Sequence, residues 1–154
     1  MSINHIGTKI AIATGVPATF DDTGFGALTW VEDAEGTVTI GAVGDTHETI
    51  TVPDITTGRN MTLKGAVTGD TINVAISRKR QADNSRLEGQ AAMKAAAQAS
   101  GGEYSFKVTE TDGTIQYFAG NVMNWKETER SSTSYAGNTF DVTINYDVVD
   151  VDPT

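Results

Sequence analysis

The stretch FDVTINYDV at residues 140–148 alternates without a break: Phe140, Val142, Ile144, Tyr146 and Val148 point one way, Asp141, Thr143, Asn145 and Asp147 the other. Successive side chains leave a strand on opposite sides, so this pattern predicts a β-strand with one buried and one wetted face. The same period recurs upstream at residues 9–14 (KIAIAT), 37–43 (TVTIGAV), 48–52 (ETITV), 61–67 (MTLKGAV), 71–78 (TINVAISR), 103–111 and 114–125. Asp112-Gly113 between the last two of these reads as a tight hairpin, because glycine accepts the positive φ such turns need. Gly69-Asp70 is expected to join another adjacent pair. Consecutive hairpins imply an antiparallel sheet, folded as a sandwich or half-barrel.

One segment departs from alternation. Residues 85–100, SRLEGQAAMKAAAQAS, are rich in alanine, with Leu87, Ala91 and Ala95 spaced for one helical face. Ser85 and Glu88 match the S-x-x-E capping box, and Gly101-Gly102 supplies a stop. The expectation is one flanking helix over residues 85–100, its small side chains close against a sheet, with Gly89 weakening it by about 1 kcal/mol relative to alanine. Residues 44–60 and 126–138 are polar and read as two long loops, the first with a short strand inside it. The whole is expected to be one mainly β domain over residues 1–154 with flexible termini, the usual organisation at this length.

Composition excludes several function classes. The 154 residues contain no cysteine, so disulfides and thiolate metal sites are impossible, and the two histidines, His5 and His47, leave little for histidine-dependent metal or acid–base sites. Threonine reaches 23, and a β-branched polar residue suits the wet face of a strand. Formal net charge is −9, the opposite of a phosphate-binding footprint. The charge is also segregated: residues 1–58 hold 8 acids and 1 base, residues 59–107 hold 4 acids and 8 bases, and residues 108–154 hold 8 acids and 2 bases. Local accidents of a solvated surface could produce such blocks, and so could packing against further copies, where opposite patches steer and register the contact. No basic leader or membrane-length apolar run is visible, so synthesis and retention in a cytoplasm are expected.

No motif for catalysis stands out. Asp21-Asp22 and Glu32-Asp33 are carboxylate pairs without calcium-loop spacing. His47 lies between Asp45 and Glu48, but no nucleophile elbow accompanies it. Arg78-Lys79-Arg80 is the one basic run, followed by Arg86 and Lys94; it is short and lacks interleaved aromatics for nucleic acid. It reads as a solvated strand-end and helix-face patch or, the favoured reading, as half of an ionic contact with an acidic neighbouring subunit. The aromatics Trp30, Phe106, Phe118, Trp125 and Phe140 fall at strand positions and are expected in the core. The chain is expected not to be an enzyme and to need no cofactor or metal.

Several landmarks, taken in order, carry a resemblance: Ala27-Leu-Thr-Trp-Val-Glu32, the acidic loop at Gly44-Asp45, Lys64-Gly65, the alanine-rich helix, Tyr104-Ser-Phe-Lys-Val108, Asp112-Gly113, Tyr117-Phe-Ala-Gly120 and the acidic-ended final strand. Over nearly the whole chain, this order resembles the major tail tube protein of long-tailed, non-contractile bacteriophages. The resemblance implies a β-sandwich or half-barrel with one flanking helix. It also implies self-assembly into hexameric rings that stack into a hollow tube, the conduit for DNA ejection. Partners would be further copies of the chain, with the tape measure, tail terminator and tail tip proteins. DNA would pass without specific binding, no membrane would be involved, and the protein, made in the host cytoplasm, would reside in the virion. By position, residues 44–60 match the family's long connecting loop, making Asp45, His47, Glu48, Asp54 and Arg59 contact candidates. Arg78, Lys79 and Arg80 are candidates for an ionic subunit contact. Asp141, Thr143, Asn145 and Asp147 are candidates for the channel lining, where acidic groups would repel DNA. Rival readings are a tail terminator or other single-ring virion component on the same fold, and an unrelated acidic β-sandwich binding module.

Overall fold

The computed structural model describes residues 2–33 and 35–153. In chain order the elements are β1 (Lys9–Thr14), α1 (Asp22–Gly26), β2 (Val31–Asp33), β3 (Thr37–Ile40), β4 (Asp45–Pro53), β5 (Asn60–Gly69), β6 (Thr71–Ser77), α2 (Glu88–Gln98), β7 (Tyr104–Thr109), β8 (Ile115–Glu127), β9 (Gly137–Ile144) and β10 (Val149–Val151). Seven strands lie in the order β2-β1-β7-β8-β9-β6-β3, and β10 adds to β8. Strands β4 and β5 form a separate two-stranded sheet. All pairings are antiparallel.

Alternation sorts the side chains onto two sheet faces. On one, Ile10, Ile12, Ile72, Val74, Ile76, Phe106, Phe118, Phe140, Val142 and Ile144 form the main core with Met93 and Ala96 of α2. Phe106 stacks on Phe118 with centroids 5.3 Å apart. On the other face, Tyr117 and Ala119 meet Phe25, which stacks on Tyr117 at 4.9 Å. Asp21 caps the short helix that carries Phe25 by accepting from the Gly24 amide at 2.7 Å, and Trp30 closes the cluster by donating to the Phe25 carbonyl at 3.0 Å.

The two outermost strands of the order are β2, ending at Asp33, and β3, beginning at Thr37, so close in the chain that the sheet curls until its edges come together at a corner. Among the described residues they do not pair with each other, which leaves a half-barrel with α2 against its inner face. Gln90 of α2, fully buried, links the parts at the corner: its Nε2 donates to the Ser77 carbonyl at 2.8 Å and its Oε1 accepts from the Lys79 amide at 3.1 Å. The mainly β architecture with a flanking helix and the Asp112-Gly113 hairpin match the sequence reading, with Gly113 at φ +94°.

Several boundaries differ, each for a local reason. Helix α2 begins at Glu88, because the Ser85 amide and hydroxyl bind Asp83 instead of capping; Leu87 stands at the N-cap with no side-chain bond. Its buried face is Gly89, Gln90, Met93 and Ala96, whereas Ala91 and Ala95 face solvent. Residues 44–60 are mostly strand β4, leaving 54–59 as the turn. Likewise β8 runs to Glu127 and β9 starts at Gly137, which shortens the second loop to residues 128–136. Gly69-Asp70 does not close a hairpin: β5 pairs with β4, while β6 pairs with β3 and β9. The alternating stretch over residues 140–148 stops being one strand at Ile144. Beyond it the chain steps away from β8 and returns as β10, and Tyr146 joins the second cluster, stacked on Phe20 at 4.6 Å.

Candidate functional site

The features not consumed by the core are surfaces. Hairpin β4–β5 pairs only with itself, and every residue of β4 is exposed. Ile50 lies opposite Leu63 and Val52 opposite Met61, so these four side chains share one face. They remain 49%, 47%, 41% and 58% exposed, and Ile55 at the turn is 99% exposed. The other face carries Thr49, Thr51, Thr62 and Lys64. A two-stranded hairpin of alternating pattern therefore shows an apolar strip that the described residues leave about half exposed.

The five loop candidates divide along this hairpin. Asp45, His47 and Glu48 lie at its base, exposed, with a register shift between His47 and Thr49. Asp54 builds the turn: its carboxylate accepts from the Thr56 amide at 2.8 Å and the Thr57 hydroxyl at 2.9 Å, and these donors hold its pKa below the ordinary value. The Asp54 amide in turn donates to the Arg59 carbonyl at 3.1 Å.

The basic run follows β6 and is not uniform. Arg78 pairs with Glu127 at 3.1 Å, and Glu127 is shared with Arg130 at 2.6 Å. Lys79 and Arg80 are exposed and form no ion pair among the described residues. Arg86, which precedes α2 instead of lying on it, joins them through a β-bridge with Arg80 and lies over the Trp125 ring at 5.9 Å.

The four lining candidates separate. Asp141 and Thr143 sit on the β9 face turned away from α2, beside Asn73 and Thr71 of β6. Asp141 accepts from Asn73 Nδ2 and from Asn124 Nδ2, each at 2.9 Å, and these two bonds lower its pKa. Asn124 takes φ +62° at the irregularity where β8 slips against β9, a bulge the sequence did not announce. Thr71 and Thr143 hydroxyls are 3.2 Å apart. Asn145 and Asp147 lie beyond the strand, exposed in the connection to β10, so they do not continue that row.

A cleft of about 420 Å³ between β3 and the end of β7 is lined by His5, Val38, Ile40, Val108 and Glu110 among others. It gathers one histidine and one carboxylate, 3.8 Å apart, with the threonines Thr8, Thr37 and Thr39. Among the described residues no group of three or more histidines and carboxylates could hold a metal ion, and no helix is long and apolar enough to cross a membrane.

No protein-family model and no curated protein sequence matches the chain. Among solved structures, it is similar to a chain in the cryo-EM structure of the anti-feeding prophage baseplate, 6-fold symmetrised. The TM-score is 0.62 at 8% sequence identity, covering 99% of this chain and 96% of that one. The half-barrel with its flanking helix is thus a fold shared, end to end, with a chain of a prophage baseplate.

Proposed function

We propose that the chain is a structural virion protein, without enzymatic activity, that self-assembles into stacked rings forming a phage tail tube through which DNA is ejected. The observation that carries this reading is the β4–β5 hairpin. An isolated two-stranded hairpin is marginal in water, and a bare apolar strip marks a surface that a partner covers. Here Ile50, Val52, Met61 and Leu63 are such a strip. Further copies of the chain are the partner, the strip reaching a neighbouring subunit. The likeness in fold to a prophage baseplate chain supports a place in a phage particle.

Tape measure, terminator and tip proteins would meet such a tube at its lumen and ends. The threonine- and asparagine-bearing face around Thr71, Asn73, Asp141 and Thr143 suits the lining, since it is polar and the Lys126 charge near it is offset by Asp141. The edges of β2 and β3, open in one copy, suit pairing between copies.

Negative-stain microscopy of the purified protein tests the reading: long tubes support it, and featureless monomers at every concentration refute it. A single-ring component at a tube end is the second reading, favoured by the baseplate setting of the similar chain. Rings without tubes in the same images would decide for it. Within the tube reading, Asp141→Lys should leave tubes intact and slow DNA delivery; failure to form tubes would place Asp141 in a contact instead.

A further inference from the structure

Strand β8 joins two ends of opposite charge. At its C-terminal end stand Arg78, Lys79, Arg80, Arg86 and Arg130. Of the acids nearby, Glu127 serves Arg78 and Arg130 and Asp83 is turned to the amide and hydroxyl of Ser85, while Glu35, Glu88 and Glu129 are exposed. Lys79, Arg80 and Arg86 have no ion pair among the described residues. The Arg78 Nε is buried with no hydrogen-bond partner among the described residues. Burial, and then repulsion from Arg78 and Arg80, hold the Arg86 guanidinium below its ordinary pKa.

The other end of β8 is acidic. The turn before it carries Glu110 and Asp112, and β10 lays Asp150 opposite Gln116. The C-terminal residues fold against the same turn, where a Cβ on Gly113 would lie 3.1 Å from that of Pro153, and this brings in Asp152. Nearby, Lys9 is paired with Glu32 at 3.4 Å, Lys107 lies over the Trp30 ring at 5.3 Å, and the His5 imidazole is 3.8 Å from Glu110. Asp112, Asp150 and Asp152 form no ion pair among the described residues. The 13 residues of β8 hold the two ends about 40 Å apart, too far to neutralise each other within one chain.

We infer that the acidic end of one copy, Asp112, Asp150 and Asp152, docks onto the Lys79–Arg80–Arg86 end of the next, so that copies associate head to tail along β8. This rests on the self-assembly reading and adds which surfaces meet. A two-fold contact would set like charges together, whereas a heterologous contact uses each end once and propagates. Nucleic acid phosphate is the competing occupant of the basic end. A second copy is favoured because the chain itself carries the matching acidic surface.

The test is a charge swap at exposed positions, followed by sedimentation velocity and microscopy at about 0.1 M salt, where the screening length is about 10 Å. Lys79→Glu/Arg80→Glu leaves both ends negative, and Asp150→Lys/Asp152→Lys leaves both positive. Each variant alone should stay unassembled at concentrations at least about tenfold above the wild-type threshold, with unchanged circular dichroism and melting. An equimolar mixture should assemble, because each reversed end now faces its complement. Assembly of both variants alone at the wild-type threshold, or a mixture as inert as its parts, overturns the docking. Loss of duplex-DNA retention by Lys79→Glu/Arg80→Glu with assembly intact assigns the basic end to nucleic acid and overturns it too. A wild-type protein that never assembles fails the self-assembly reading itself, whereas wild type assembling along with both variants fails the docking alone.

Discussion

Gly89 of α2 lies so close to Asp33 of β2 that a β-carbon at position 89 would sit 2.6 Å from the Asp33 amide nitrogen and 2.6 Å from the Glu32 carbonyl oxygen. The helix rests backbone-on-backbone against the strand at the corner where the half-barrel's edges meet. A residue that costs an isolated helix about 1 kcal/mol is the one that lets this helix dock.

Gly89→Ala should therefore destabilise the fold by about 2 kcal/mol despite improving helix propensity, because the neighbour in the way is strand backbone. Ala95→Gly, at an exposed position of the same helix, should cost only about 1 kcal/mol. Urea denaturation of both variants checks the contrast; Gly89→Ala at or above wild-type stability would contradict the close approach.

Asp33 is 1% exposed, with Thr37 Oγ1 donating to its Oδ2 at 2.9 Å and no hydrogen-bond partner for Oδ1 among the described residues. Burial outweighs the donors around it and raises its pKa. A carboxyl whose folded pKa is raised helps the fold below its unfolded pKa of about 3.9 and loses that contribution as pH rises through the folded value. Asp33→Asn should then be more stable than wild type by about 1 kcal/mol at pH 7, with the gap closing toward pH 4. Calorimetric melting at the two pH values measures it, and a gap that widens on acidification would reverse the assignment.

Asn124 combines a left-handed backbone with a bond to Asp141. Asn124→Gly keeps the backbone and loses the bond; Asn124→Ala loses both and should be the less stable by about 1 kcal/mol. In either variant the Asp141 pKa should rise toward its ordinary value, read by carboxyl NMR titration. Because a lowered pKa stabilises the fold at higher pH and is lost as pH falls through it, both variants should also be less sensitive to acid than wild type.

Ile50→Asp and Leu63→Asp separate folding from assembly. Both side chains are already about half exposed, so melting should shift by no more than about 1 kcal/mol equivalent, whereas assembly should be lost. Loss of folding would mean that the strip is covered within the chain.

Local patterning made much of the architecture readable. Strands β1, β6 and β7 match their period-2 runs because their alternate side chains enter one core, and Asp112-Gly113 forms the turn its chemistry favours. Alternation reports only that a strand has two unlike faces, however, and says nothing of what lies beside it. Residues 44–60 read as a loop holding only a short strand at 48–52, because Asp45 to Glu48 offer no apolar side chain to extend the alternation. The fate of Tyr146 was equally hidden, since a bend that moves a residue to the opposite cluster leaves the alternation intact.

By itself, then, the sequence determined the strand content, one helix, the absence of thiol chemistry and the segregation of charge into blocks, all of which are local or additive properties. The tertiary structure decided which blocks face each other. It took the 70s and 80s arginines to one end of β8 and the C-terminal acids to the other, left Ile50 and Leu63 uncovered, and made Gly89 a contact instead of a weakness. The physical reason is range: side-chain periodicity is set within a few residues, whereas register and curl are set by pairings such as Asn73 with Asp141, far apart in the chain.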